Sequence, residues 1–194
     1  YQVIANFIER LLALVFLLVL SPILILIALS IALFSRGPIV YSQKRVGQYE
    51  AIFNLYKFRS MYADAERNPD AGSDQATWSK PGDERVTPVG RFLRASHFDE
   101  LPQLFNILAG QMSFIGPRPE RPEFTAMLEK EIPYYELRHL LRPGIAGWAQ
   151  LNYGYGASVA DAYQKLQYDI YYLKHRNLLL DMKIAMKTVK KFIV

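Results

Sequence analysis

Residues 11–34 read LLALVFLLVLSPILILIALSIALF, 24 residues without a charge, broken near the middle by Ser21-Pro22 and later by Ser30. A straight helix of that length extends roughly 36 Å, enough to cross a hydrocarbon layer of ~30 Å. A secretory leader fits less well, because its apolar region is shorter and a small-residue cleavage site follows it. Pro22 lacks an N–H and its ring clashes with the carbonyl of Leu18, so a kink is expected there. A serine hydroxyl can satisfy the freed carbonyl, which leaves two topologies open: a kinked span, or a re-entrant hairpin that returns to the same face. Arg10 before the block and Arg36, Lys44 and Arg45 after it suit two cytoplasmic ends, although Glu9 weakens the N-terminal signal. Sequence physics alone favours the kinked span.

Outside this block the chain is mixed in character. Its 194 residues suit one domain with an appendage, and 23 Lys plus Arg against 18 Asp plus Glu leave a formal charge of +5. The absence of Cys excludes disulfides, thiolate zinc sites and a cysteine nucleophile, and with three His a bound metal is expected to be oxygen-ligated. Aromatic residues make up 13% of the chain, too many for general disorder. Because the first residue is Tyr1 rather than Met, the chain is expected to be a piece of a longer product.

The polar part is helix-rich without a βαβ rhythm. FNLYKFR at 53–59 alternates like a strand, which would place Lys57 and Arg59 on one face. A short helix is expected from Asp64, followed by a long polar loop over 68–88. Pro88 to Arg94 reads as a helical turn or two, with Arg91 and Arg94 side by side. A second helix is expected to begin near Ser96 or Asp99, carry Leu101, Leu104, Phe105 and Leu108 on one face, and end at Gly110. Asp99 and Glu100 would then be adjacent carboxylates in its first turn. Ser113 to Ile115 is strand-like, and Pro117 and Pro119 hold Arg118 extended. Two helical pieces broken at Pro133 follow, then a rigid turn over 142–147 that begins with Arg142, and a short strand over 148–151. Ser158 with Asp161 reads as a capping box opening a helix to His175. In the last segment, Lys183, Lys187, Lys190 and Lys191 flank an apolar face of Leu179, Met182, Met186, Val189 and Ile193. That helix either lies on anionic lipid or packs on the core with a solvated lysine face.

Cations on rigid supports recur: Lys57, Arg59, Arg91, Arg94, Arg118 and Arg142. Fixed guanidinium forks suit phosphate oxygens, so a phosphorylated ligand is one reading, and pairing with surface acids is the other. Asp99 and Glu100 are either helix caps or a reactive pair, with one carboxylate attacking while the other holds a hard cation. His97 beside them is a candidate proton carrier. The common nucleotide-binding and hydrolase signatures are absent. The apolar block argues against nucleic acid as the partner.

KFRSM at 57–61, DELPQLFNILAGQMSFIGPRPERP at 99–122, LRPGIAGWAQLNYGYGAS at 141–158 and KLQYDIYYLKHRNLLLDMKI at 165–184 together resemble the monotopic bacterial phosphoglycosyl transferases. These are the sugar transferases that initiate exopolysaccharide, O-antigen and glycoconjugate synthesis, and the ending resembles their larger members. The resemblance implies an α+β, helix-rich fold: a re-entrant membrane helix broken at Ser21 and Pro22 over 1–36, then a cytoplasmic catalytic domain over 37–194 with interfacial amphipathic helices and a small β element. It implies transfer of a phosphosugar from a UDP-sugar to polyprenol (undecaprenyl) phosphate at the cytoplasmic face of the bacterial inner membrane. Asp99 would be the nucleophile of a covalent aspartyl-phosphosugar intermediate, Glu100 the Mg²⁺ ligand, and Arg118 and Arg142 anion contacts. Charge and placement add Lys57, Arg59, Arg91 and Arg94 as phosphate contacts. His97 stands where the family often has Ser or a basic residue, and Ala146 where Thr is common. A membrane-tethered Mg²⁺-dependent phosphohydrolase and a non-enzymatic anionic-lipid or nucleic-acid binding module are the rival readings.

Overall fold

The computed structural model describes residues 2–62, 83–154, 156 and 158–193. The helix expected at Asp64 and most of the loop over 68–88 lie outside them. The chain opens with α1 (Gln2–Val19) and α2 (Ser21–Phe34), which meet at Leu20 with a bend of 62°. The bend has the anticipated cause, and the Ser21 hydroxyl donates to the Leu18 carbonyl at 2.8 Å, the acceptor that Pro22 cannot serve. Among the described residues no single helix is long and apolar enough to cross a membrane, whereas the bent pair has the length and composition together. Both helices bury one stripe against the polar part. Ala13 and Leu17 of α1 pack on Phe53, Leu55, Leu104, Ile107 and Met112, and Ile27 and Ile31 of α2 pack on Phe58 and Leu93. Most of their other apolar side chains, Leu33 and Phe34 among them, are exposed.

The strands β1 (Val40–Val46) and β2 (Ile52–Phe58) form an antiparallel hairpin, with Val40 opposite Phe58 and Val46 opposite Ile52. Its turn carries Tyr49 and Glu50 at φ of 53° and 62°, and the Ala51 amide closes it on the Gln48 carbonyl at 3.1 Å. Two left-handed residues in this arrangement make the primed turn that matches hairpin twist, although non-glycine residues adopt it at a cost. β2 ends at Phe58, and the Arg59 amide still donates to the Ile39 carbonyl at 2.9 Å, but the Arg59 and Lys57 side chains take different partners. The Arg59 guanidinium donates to the Ser35 carbonyl at the end of α2, at 2.7 Å.

Next come α3 (Pro88–Ala95), a 3-10 turn over Phe98–Glu100, and α4 (Gln103–Leu108). Thr87 caps α3 by accepting from the Gly90 amide at 2.9 Å. Gly90 faces the backbone of Ser60 so closely that a Cβ would lie 1.9 Å from its carbonyl oxygen, which only glycine permits. The single helix expected from Ser96 or Asp99 is therefore two pieces. His97 takes left-handed φ of 55°, which breaks the helical path, and α4 starts only after Pro102.

The strand β3 (Ser113–Ile115) pairs in parallel with β4 (Gly144–Ala146), and α5 (Pro122–Glu131) and a 3-10 helix over Tyr135–Leu140 lie between them in sequence. The expected rigid turn at 142–147 thus contains a strand, and a helix-containing crossover is present after all. Gly116 and Gly144 meet backbone to backbone at this pairing. The short strand expected at 148–151 is instead helix α6 (Trp148–Asn152), whose Ala149 is buried while its neighbours are half-buried or exposed. Then α7 (Val159–His175) begins with the anticipated capping box between Ser158 and Asp161, and α8 (Leu178–Ile193) buries Ile184 while leaving Leu179, Met182, Met186 and Val189 exposed. The fold is α+β and helix-rich, with two two-stranded sheets among the described residues.

Candidate active site

Asp99 and Glu100 sit in the 3-10 turn, not in the first turn of an α-helix. Phe98 and Leu101 flank them and pack on the cluster built from Ile27 and Ile31 of α2, Phe58 of β2 and Leu93 of α3. The apolar helix α2 therefore packs directly against the dyad turn. Asp99 is buried, and among the described residues no hydrogen bond ends on its carboxylate. Burial pushes its carboxyl above the usual range, opposed chiefly by the cation of Lys57 and reinforced by the charge of Glu100.

Glu100 is held differently. Its Oε1 accepts from Lys57 Nζ at 2.7 Å and from Arg118 Nη2 at 3.0 Å. Burial alone would raise its carboxyl, but Arg118 and Lys57 outweigh that and hold it well below the carboxylate range. Neighbouring carboxylates are thus separated in character, one fixed as an anion and one desolvated and without a donor among the described residues. Arg94 donates through Nε to the Ser60 hydroxyl at 2.9 Å, and its charge acts on Asp99. His97 is exposed and adjoins the dyad through the left-handed bend.

Arg118 owes its position to groups that the sequence pattern did not single out. Arg138, in the 3-10 helix over Tyr135–Leu140, donates through Nη2 to the Arg118 carbonyl at 2.9 Å and through Nη1 to the Tyr135 hydroxyl at 2.5 Å. The same guanidinium pairs with Asp169 of α7 at 3.1 Å, with both side chains under 10% exposed. Burial lifts the Asp169 carboxyl to about 6, partly offset by Arg138. A signal for Asp169 existed: it stands three residues after Leu166 on the apolar stripe of α7, where a lone acid demands a buried partner.

The other expected cations are elsewhere. Arg142 is buried and donates to the Glu9 carboxylate at 2.8 Å, with Asn6 as a further partner, while Glu9 also accepts from the Ser113 hydroxyl at 2.5 Å. It ties α1 to the β3–β4 sheet instead of joining the dyad. Arg59 is likewise turned toward the end of α2, and Arg91 is exposed on α3.

The donor set suits a hard cation. Glu100 Oε2 receives no hydrogen bond from the described residues, and the Asp99 carboxylate lies one residue away. Mg²⁺ takes one or two carboxylates together with water and substrate phosphates, so the two oxygens fit it.

The bacterial sugar transferase family model matches residues 1–194. The chain belongs to the bacterial sugar transferase family. This bacterial sugar transferase is 45% identical over 170 residues to the UDP-N-acetylgalactosamine-undecaprenyl-phosphate N-acetylgalactosaminephosphotransferase of Aeromonas hydrophila, covering 88% of this chain and 39% of the relative. It is 38% identical over 193 residues to the UDP-glucose:undecaprenyl-phosphate glucose-1-phosphate transferase of Xanthomonas campestris pv. campestris, covering 97% of this chain and 38% of the relative. The exopolysaccharide production protein of Rhizobium leguminosarum bv. phaseoli is 38% identical over 178 residues, 89% of this sugar transferase and 86% of the relative. The chain thus spans about two fifths of the length of the first two relatives.

Proposed function

We propose that this sugar transferase moves a phosphosugar from a UDP-sugar to undecaprenyl phosphate, releasing UMP, through a covalent intermediate on Asp99. The carrying observation is the asymmetry of the dyad: a buried Asp99 that accepts no hydrogen bond from the described residues stands beside a Glu100 held anionic by Lys57 and Arg118. A carboxylate desolvated by burial and not tied up by cations is the better nucleophile of the two. In the first step an Asp99 oxygen bonds to the sugar-bearing phosphorus, and the phosphoanhydride bond to UMP breaks, with UMP taking the electron pair. In the second step an oxygen of the lipid phosphate bonds to the same phosphorus and the Asp99–phosphorus bond breaks, which restores the carboxylate.

Arg118, Lys57 and Arg94 provide cationic neighbours for the diphosphate and the charge that develops on the leaving UMP. Mg²⁺ held by Glu100 would neutralise diphosphate charge when bound. Arg138 and Asp169 position Arg118 without touching substrate.

The topology completes the reading. The 62° bend at Leu20 and the exposed apolar faces of α1 and α2 suit a re-entrant hairpin whose two ends lie on the cytoplasmic face of the inner membrane. Because α2 packs under the dyad turn, a lipid phosphate at the headgroup level would reach Asp99 while the sugar nucleotide arrives from water. The lysines and exposed apolar residues of α8 suit a second contact with anionic lipid.

The test incubates the purified protein with Mg²⁺ and labelled UDP-glucose or UDP-N-acetylgalactosamine, with and without undecaprenyl phosphate. UMP release dependent on the lipid and protein-bound label in wild type are expected, and Asp99→Asn should lose both, with turnover down at least about 10³-fold. Release of free sugar phosphate without lipid would instead identify a hydrolase. Label retained on Asp99→Asn would remove Asp99 as the nucleophile.

A further inference from the structure

Three segments distant in sequence converge at the 3-10 helix that carries Arg138. Glu50 comes from the β1–β2 turn, Glu129 from α5 and His139 from the 3-10 helix itself. One donor atom from each lies within 4.8 Å of the other two. The two carboxylates alone would be unremarkable, since exposed acids often cluster. His139 changes the reading: the residue is only 7% exposed, and its Nδ1 is fully covered and has no hydrogen-bond partner. That nitrogen lies 3.9 Å from Glu129 Oε1, too far for a hydrogen bond.

We propose that Glu50, Glu129 and His139 form a binding site for a divalent transition-metal ion of the zinc type, built from residues outside the dyad. The donor set is one imidazole and two carboxylates, which suits Zn²⁺ better than Mg²⁺. The expectation of an oxygen-only metal site, drawn from the scarcity of His, does not cover this place. Burial, with the neighbouring Arg138 charge, lowers the imidazole to about 4, so the ring is neutral near pH 7 and keeps a lone pair for a metal. The carboxyl of Glu129 is raised by burial and by the charges of Glu50 and Glu136, a crowding that a dication relieves. Arg138 is the cation nearest in sequence, and it is already paired with Asp169.

The geometry needs little adjustment. Tetrahedral zinc with bonds of about 2.0–2.2 Å places its ligands roughly 3.5 Å apart, so separations of up to 4.8 Å close by about 1 Å. Glu50 and Glu129 are exposed and free to supply that shift by changing rotamer. The backbone is already set, because Gln48 Nε2 donates to the Leu140 carbonyl at 3.0 Å and docks the hairpin turn on the 3-10 helix. Three protein ligands leave a fourth position for water, and the bound ion would clamp the hairpin to α5 and to the helix that carries Arg138.

Calorimetric titration of the untagged protein in detergent with Zn²⁺ tests the site, with Mg²⁺ as the competing ion. One equivalent of Zn²⁺ should bind both in wild type and in the Asp99→Asn/Glu100→Gln double variant, and excess Mg²⁺ should not displace it. Loss of even an outer-shell partner weakens metal sites about 10–100-fold, so Glu50→Gln and Glu129→Gln should each weaken binding at least tenfold. Both side chains are exposed, so these variants keep the fold, whereas His139→Gln disturbs a buried position and serves only as a third check. Unchanged affinity in both glutamine variants, loss of binding in the dyad variant, or no binding by wild type would each overturn the proposal. None of these readouts depends on turnover, so failure here is distinguishable from failure of the transferase reading.

Discussion

Replacing Lys57 by Met removes the ammonium that bonds Glu100 at 2.7 Å and whose charge also acts on Asp99. Methionine keeps an unbranched chain of similar length, so the packing of β2 changes little. Glu100 does not become an unpaired buried anion, because Arg118 remains on its Oε1 at 3.0 Å. Asp99 keeps its desolvation and loses its main opposing charge, so its carboxyl rises further. Lys57 bonds Glu100 rather than Asp99, so it acts on Asp99 through its charge alone, and removing that charge moves the carboxyl upward. Asp99 must be ionised to attack, so activity is lost as pH falls through its folded value, and raising that value moves the loss to higher pH. The acid limb of kcat/KM for UMP release should therefore start above the ordinary carboxylate range in wild type and move to higher pH in Lys57→Met. At a fixed pH below the limb, each unit by which the limb moves is about a tenfold loss, or about 1.4 kcal/mol, beyond any fall in the plateau. Lys57→Arg should restore the limb. A plateau that falls while the limb stays in place would refute the reasoning, because Asp99 would then not be the titrating group or would not feel Lys57.

Asp169 makes a prediction of the opposite sign for stability. Its carboxyl is raised to about 6 by burial, so its contribution is complete below the unfolded value near 3.9 and is lost as pH rises through 6. The shift of about two units corresponds to about 3 kcal/mol, and Asp169→Asn should flatten that segment of a thermal-unfolding profile while lowering kcat through a looser Arg118; an unchanged slope would remove Asp169 as its source. Pro22→Ala supplies the N–H that bonds the Leu18 carbonyl and relieves a ring clash worth about 3 kcal/mol, so the hairpin should straighten. Cysteines placed at Ile4 and Arg36 should react from the same side of the membrane in wild type and from opposite sides in Pro22→Ala, and opposite sides already in wild type would sink the re-entrant reading.

What the sequence determined by itself was local. The Ser21-Pro22 break follows from a missing N–H and a ring clash between residues four apart, and the capping box at Ser158 from a hydroxyl and a carboxylate three apart. The β2 strand showed in its period-two alternation, and the adjacency of Asp99 and Glu100 could be read directly. The tertiary structure decided which groups meet. Trp148–Asn152 is a helix rather than a strand, a stretch too short for periodicity to separate the two. The pairing of β3 with β4 depends on hydrogen bonds between residues about thirty apart, which no local pattern announces. Arg118 and Arg142 look alike in sequence, each beside proline in a stiff turn. One meets Glu100, and the other is consumed by Glu9 from the first helix. Arg138 with Asp169, and His139 with Glu50 and Glu129, likewise gain their character only in the folded chain. Burial and long-range pairing set the charge state of a side chain, and both exist only once distant segments have packed together.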